Sequence, residues 1–213
     1  GFLELREAIA HKLKRDNELE YKPTQICVSN GAKQAILNVL AALLNDGDEV
    51  ILPNPYWVSY DEMVKMMGGT SVFIETNIDT EFKMTAEQLE AAITPKTKAI
   101  MIAHSLGNPF DLDEVMRVAQ KYNLWVVEDD CDSLGATYKG KKTGTFGDIA
   151  TFSFYPAHHI TMGEGGSILT SNPLLKRIAM SMRDWGRDCY CDPGCDNTCG
   201  QRFTQQFGSL PQG

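Results

Sequence analysis

Apolar runs of roughly five residues alternate with amphipathic stretches along most of the chain, the pattern of an α/β sheet covered by helices. Strands are expected at Gln25–Ser29, Glu49–Leu52, Ser71–Glu75, Ala99–Ala103, Leu124–Glu128, Ile149–Phe154 and Ser167–Thr170. Helices are expected over 2–15, Ala32–Leu44, Val58–Met67, Ala86–Ala92, Asp111–Tyr122 and Pro173–Asp184. Thr85 is placed as an N-cap, and Pro173 stands in a first turn, where its missing N–H costs nothing. From Arg187 onward the periodicity stops and Cys, Asp and Gly dominate. The chain therefore divides into an α/β domain over 1–186 and a Cys-rich tail over 187–213 expected to bind metal, since such a segment has little apolar surface to order it otherwise.

Composition narrows the field. A net charge of −8 argues against nonspecific binding to nucleic acid or anionic membranes. No stretch approaches the roughly 18 consecutive apolar residues of a membrane span, and no signal-peptide pattern opens the chain. With clustered cysteines, this favours the cytosol and metal over disulfides. The first residue is Gly1 and the last residues are Leu210-Pro211-Gln212-Gly213, so a fragment of a longer protein is expected.

Several residue groups could carry chemistry. Ser29-Asn30-Gly31-Ala32-Lys33 joins a strand to a helix, where free amide N–H groups suit a phosphate or merely cap the helix. Trp57 begins a helix and reads equally as packing. Asn108, in Gly107-Asn108-Pro109, reads as a turn after a strand. Three carboxylates, Glu128, Asp129 and Asp130, crowd a strand end, where α/β sheets place ligands, and alternation lets only some of them face one side. His158 and His159 follow the last long strand, and either imidazole can exchange a proton near neutral pH. Cys189, Cys191, Cys195 and Cys199 lie close enough in sequence for a local zinc knot, whereas Cys27 in an apolar strand is expected in the core. Lys139, Lys141 and Lys142 form a Gly-flanked, solvated cluster.

Two resemblances sharpen these readings. Leu5-Arg6-Glu7-Ala8-Ile9, Val28-Ser29-Asn30-Gly31-Ala32-Lys33-Gln34 and Pro55-Tyr56-Trp57-Val58-Ser59-Tyr60 make residues 1–100 resemble class I aminotransferases of the aspartate aminotransferase type. Ser153-Phe154-Tyr155-Pro156-Ala157-His158-His159-Ile160, followed by Gly163-Glu164-Gly165-Gly166, resembles the cofactor-anchoring segment of the DegT/DnrJ/EryC1/StrS sugar aminotransferase family, over roughly 98–213. The join falls near 98–103, and both families share the large-domain fold of type I pyridoxal-phosphate (PLP) enzymes, with a mostly parallel sheet and helices on both faces. The fold expected is therefore that large domain, without the small domain that family members carry after it.

Where that family holds its Schiff-base Lys, this chain has His158, which has no primary amine for the aldehyde cofactor. The exchange, together with Cys131, Cys189, Cys191 and Cys199, resembles the family's iron–sulfur 3-dehydrases, which use pyridoxamine phosphate (PMP) and a [2Fe–2S] cluster on a CDP-4-keto-6-deoxyhexose. The resemblance implies His158 as base and the four cysteines as cluster ligands, leaving out Cys195. It implies Gly31, Ala32, Lys33 and Ser153 at the cofactor phosphate, and Trp57 stacked on the ring. Asn108 would lie near the phenolic oxygen, Asp129 would face the ring nitrogen, and the role of Asp132 stays open. A flavin and iron–sulfur reductase and a homodimer are the implied partners. Two other readings compete: a class I aminotransferase fragment, and a non-catalytic mosaic whose tail binds metal.

Overall fold

The computed structural model describes residues 1–187, 191 and 200. In chain order they form α1 (Leu3–Asn17), β1 (Ile26–Ser29), α2 (Ala32–Leu43), β2 (Glu49–Asn54), α3 (Ser59–Met66), β3 (Thr70–Glu75), α4 (Ala86–Ala92), β4 (Thr97–Ala103), α5 (Leu112–Tyr122), β5 (Trp125–Asp129), β6 (Thr137–Tyr138), β7 (Lys141–Lys142), β8 (Ile149–Ser153), β9 (Gly166–Leu169) and α6 (Pro173–Arg183). Every expected helix and strand is present, with ends that move by a residue or two. The Thr85 side chain accepts from the Gln88 N–H at 3.3 Å, the cap its position requires.

Seven strands pair in the order β1-β9-β8-β5-β4-β2-β3. β3, β2, β4, β5 and β8 run parallel, and β9 lies antiparallel between β8 and β1. The central strands are buried on both faces, as helix-covered parallel sheets require. One face packs Val127, Ile149 and Cys27 with α2, α3 and α6; the other packs Ile100, Ile102 and Val126 with α4 and α5. A third cluster joins α1 to β1, β8 and β9 through Leu13, Ile26, Phe152 and Leu169.

The lysine cluster is solvated, as expected, with Lys139 and Lys141 exposed, but it is carried on a hairpin and not on a plain loop. β6 and β7 form a two-stranded hairpin, Lys139 pairs with Asp113, and the Lys141 ammonium lies 4.2 Å from the centre of the Phe146 ring. Each strand is two residues long, too short for alternation to register in sequence. Among the described residues, no helix is long and apolar enough to cross a membrane.

Candidate active site

The site residues gather where β1, β5 and β8 end, because strand periodicity gives them one face. Cys27, Val127 and Ile149 point into the α2 side of the core. Counting on by twos, Ser29, Asp129 and Ser153 share that side at the carboxyl ends of their strands. This is the edge at which α/β sheets place ligands.

At one end of this edge is a backbone cradle. Gly31 takes φ +87° and leads straight into α2. Gly166 of β9 lies in register with both Ser29 and Ser153, directly beneath that turn. A Cβ on Gly166 would come within 2.4 Å of the Gly31 carbonyl carbon and 2.7 Å of the Ala32 nitrogen, so only glycine permits the approach. Ser29 is 5% exposed and its Oγ has no partner among the described residues. Ser153 is also buried, and its Oγ accepts from the Tyr155 N–H at 3.2 Å. Lys33, exposed in the first turn of α2, holds its ammonium 5.2 Å from the centre of the Trp57 ring. A helix N-terminus, a buried unpaired hydroxyl and a nearby cation together form the donor set of a phosphate site.

At the other end stands Asp129. Its Oδ2 accepts from the Tyr60 hydroxyl at 2.5 Å, and its Oδ1 accepts from the Cys131 N–H at 3.0 Å. Burial, reinforced by the adjoining carboxylate, pushes the Tyr60 phenol well above its ordinary range, so it stays a donor. Tyr60 in turn meets Trp57 edge-on, with centroids 5.4 Å apart. Trp57 is 41% exposed at the mouth of the site, not packed in the core.

The crowd of carboxylates separates by periodicity. Glu128 and Asp130 point away from Asp129, to the α4–α5 side, and join His104 in a fully buried cluster. Glu128 accepts from His104 Nε2 at 3.0 Å and from the N–H groups of Gly144, Phe146 and Gly147, so it ties the loop before β8 to the sheet. Burial opposes its charge, but these donors outweigh it and hold its carboxyl below the usual value. Asp130 accepts from the Ser133 hydroxyl on one oxygen, and its other oxygen has no hydrogen-bond partner among the described residues. Burial pushes its carboxyl up to about 7.

His158 lies in the loop between β8 and β9, with Nδ1 3.1 Å from Asp132 Oδ1. With the Nδ1 proton donated to Asp132, Nε2 is left as the basic nitrogen. His159 is exposed. Asn108 is exposed on the loop after β4, its N–H bonded to the Ser105 carbonyl; a Cβ on the adjoining Gly107 would lie 3.6 Å from the Asp132 carbonyl oxygen. The loops after β4, β5 and β8 therefore converge on this edge. Sequence reasoning missed Tyr60 as a functional candidate, although it stands in the Pro55–Tyr60 motif, and left Asp132 without a role.

Cys131 is half-buried beside Asp129, and Cys191 is half-buried as well. Burial, with the Asp129 charge next, pushes the Cys131 thiol upward, so a metal there would have to offset that cost to hold a thiolate. Cys27 is buried in the core, as expected. Cys189, Cys195 and Cys199 lie outside the described residues.

Residues 18–204 match the DegT/DnrJ/EryC1/StrS aminotransferase family. The chain belongs to that family. The match begins well upstream of 98–103 and so takes in most of the half that resembles class I enzymes. Over 170 residues, 80% of this chain, it is 59% identical to the lipopolysaccharide biosynthesis protein RfbH of Salmonella typhimurium, covering 39% of that protein. It is 49% identical over 172 residues to the dTDP-4-dehydro-2,6-dideoxy-D-glucose 3-dehydratase of Saccharopolyspora spinosa, covering 81% of this chain and 37% of that one. The chain thus spans well under half of these relatives' length. The fold is that of type I PLP enzymes: an aspartate aminotransferase from Thermus thermophilus with maleate superposes with a TM-score of 0.73 at 32% identity, over 87% of this chain and 51% of that one. A PLP-type cofactor is the family's, and the site suits it, with the orphaned Ser29 hydroxyl and Gly166-floored turn at one end and a buried carboxylate at the other.

Proposed function

We propose that this chain carries the cofactor-binding part of a PMP-dependent dehydrase that removes the C3 hydroxyl of a CDP-4-keto-6-deoxyhexose in 3,6-dideoxyhexose synthesis for lipopolysaccharide. The observation that carries the reading is His158, held by Asp132 in the loop where the family places its Schiff-base Lys. The 3-dehydratase relative supports chemistry at C3, and RfbH supports the lipopolysaccharide setting.

Gly31, Ala32, Lys33, Ser29 and Ser153 would hold the cofactor phosphate, Trp57 would cover the ring, and Asn108 would approach the phenolic oxygen. Bound PMP would supply a primary amine for the sugar's 4-keto group and an electron-accepting ring for loss of the C3 hydroxyl. Asp129 would face the ring nitrogen and favour its protonated form, which makes the ring a better acceptor. His158 would accept the proton from C4′ on Nε2, and Asp132 would stabilise the imidazolium. We further propose that Cys131, Cys189, Cys191 and Cys199 hold a [2Fe–2S] cluster fed by a flavin and iron–sulfur reductase, and that the full-length protein is a cytosolic homodimer. Support for the cluster is the place of Cys131, two residues beyond Asp129, and the thiolate preference of iron–sulfur centres.

The test pairs substitution with spectroscopy. His158→Ala lowers dehydration about 10²–10⁴-fold if His158 is the base. His158→Lys mixed with PLP gives a visible absorbance band that borohydride bleaches; retained dehydration in His158→Ala overturns the assignment. For the cluster, electron paramagnetic resonance of reconstituted, reduced protein shows a [2Fe–2S] signal that Cys131→Ser abolishes and Cys195→Ser spares. Tightly bound zinc with no such signal favours the local knot instead.

A further inference from the structure

The Tyr60 hydroxyl is buried, and its partner is a carboxylate 69 positions away, at 2.5 Å. The Cys131 N–H holds the other oxygen of that carboxylate at 3.0 Å. With a donor on each oxygen the carboxylate cannot rotate, and each oxygen keeps lone-pair capacity for one more donor. The same phenol ring meets Trp57 edge-on at 5.4 Å, and Trp57 meets the Lys33 ammonium at 5.2 Å. One run of contacts, Asp129–Tyr60–Trp57–Lys33, thus crosses from the buried carboxylate to the first turn of α2. Tyr60 is the member that touches both the carboxylate and the aromatic lid. α3 presents it because Tyr60, Met63 and Val64 form the buried stripe of that helix against the α2-side core.

We infer that Tyr60 is a positioning residue that fixes Asp129 against the cofactor ring nitrogen and seats Trp57 over the ring, so that one side chain organises both the edge and the face of the ring site. The inference rests on the cofactor reading above. Tyr60 does not itself reach the reacting atoms and acts through Asp129. A fixed carboxylate has no rotational freedom to lose when the ring binds, so the hydroxyl contributes to cofactor affinity without touching the cofactor.

A double-mutant cycle on PMP affinity, measured by equilibrium dialysis with this chain, tests it. Tyr60→Phe keeps the ring that meets Trp57 and removes only the hydroxyl. It should weaken PMP binding roughly tenfold, the usual effect of one hydrogen bond to a charged group. Asp129→Ala should weaken it as much or more. In the Asp129→Ala background, Tyr60→Phe should cost nothing further, because its effect runs through the carboxylate. The 15N signal of ring-labelled PMP should move in Tyr60→Phe relative to wild type, a change that altered packing alone would not produce. Unchanged or tighter PMP binding in Tyr60→Phe, or an equal loss in both backgrounds, overturns the inference and leaves the cofactor reading intact. If Asp129→Ala binds PMP as wild type does, the cofactor reading of Asp129 fails, and this inference with it.

Discussion

Asp129, Asp130 and Asp132 lie within four positions and meet three different surroundings. Asp129 is gripped by Tyr60 and the Cys131 N–H, and Asp132 meets His158 in a more exposed place. Asp130 is buried with one oxygen unpaired among the described residues. Asp132→Asn keeps the size but removes the charge that would stabilise a protonated His158. It should lower kcat at least about tenfold with KM for the sugar nearly unchanged, as steady-state kinetics would show. A rise in KM alone would place Asp132 in substrate binding instead. The motifs made Asp129, Ser153 and His158 legible as candidates from the amino-acid sequence. Tyr60 was not, because its role depends on a contact with a residue 69 positions away. Asp132 was not, because nothing in a sequence shows which loop folds back on which.

Among the secondary-structure elements, β9 joins β1 and β8 at the phosphate end of the site. Hydrophobic periodicity placed a strand there, but did not reveal that it runs antiparallel between β8 and β1. That insertion brings Gly166 between Ser29 and Ser153 and beneath the turn into α2. The pattern Gly163-Glu164-Gly165-Gly166 was legible as a family motif; its physical reason is the 2.4 Å approach of a Cβ on Gly166 to the Gly31 carbonyl carbon. Gly166→Val should therefore displace the α2 turn. We expect a loss of about 2–3 kcal/mol in urea denaturation and a large loss of PMP affinity. Normal stability together with normal PMP binding would show that the approach is not needed. The β6–β7 hairpin escaped sequence reading because four strand residues carry no measurable period.

For the molecule as a whole, the buried His104–Glu128–Asp130 cluster gives stability a pH dependence. The Asp130 carboxyl is held up to about 7 by burial, with the Glu128 charge adding to this and His104 and the Ser133 hydroxyl opposing it. In the unfolded chain this carboxyl titrates near 4. Between those values the native state binds a proton that the unfolded state has released, so its contribution is full below about pH 4 and lost as pH rises through about 7. Asp130→Asn should remove that slope and be more stable than wild type at pH 8, as denaturant titrations across pH would show; an unchanged profile would mean that Asp130 is ionised throughout. Fold, cofactor cradle and loop convergence all bear on one proposed event, removal of the C4′ proton of PMP by His158. It can be followed as release of tritium from stereospecifically C4′-labelled PMP when the protein is mixed with CDP-4-keto-6-deoxyhexose without a reductase. The wild type should release tritium only when the sugar is present, and His158→Ala should release it about a hundredfold or more slowly. Equal release by the two proteins would show that His158 is not the base.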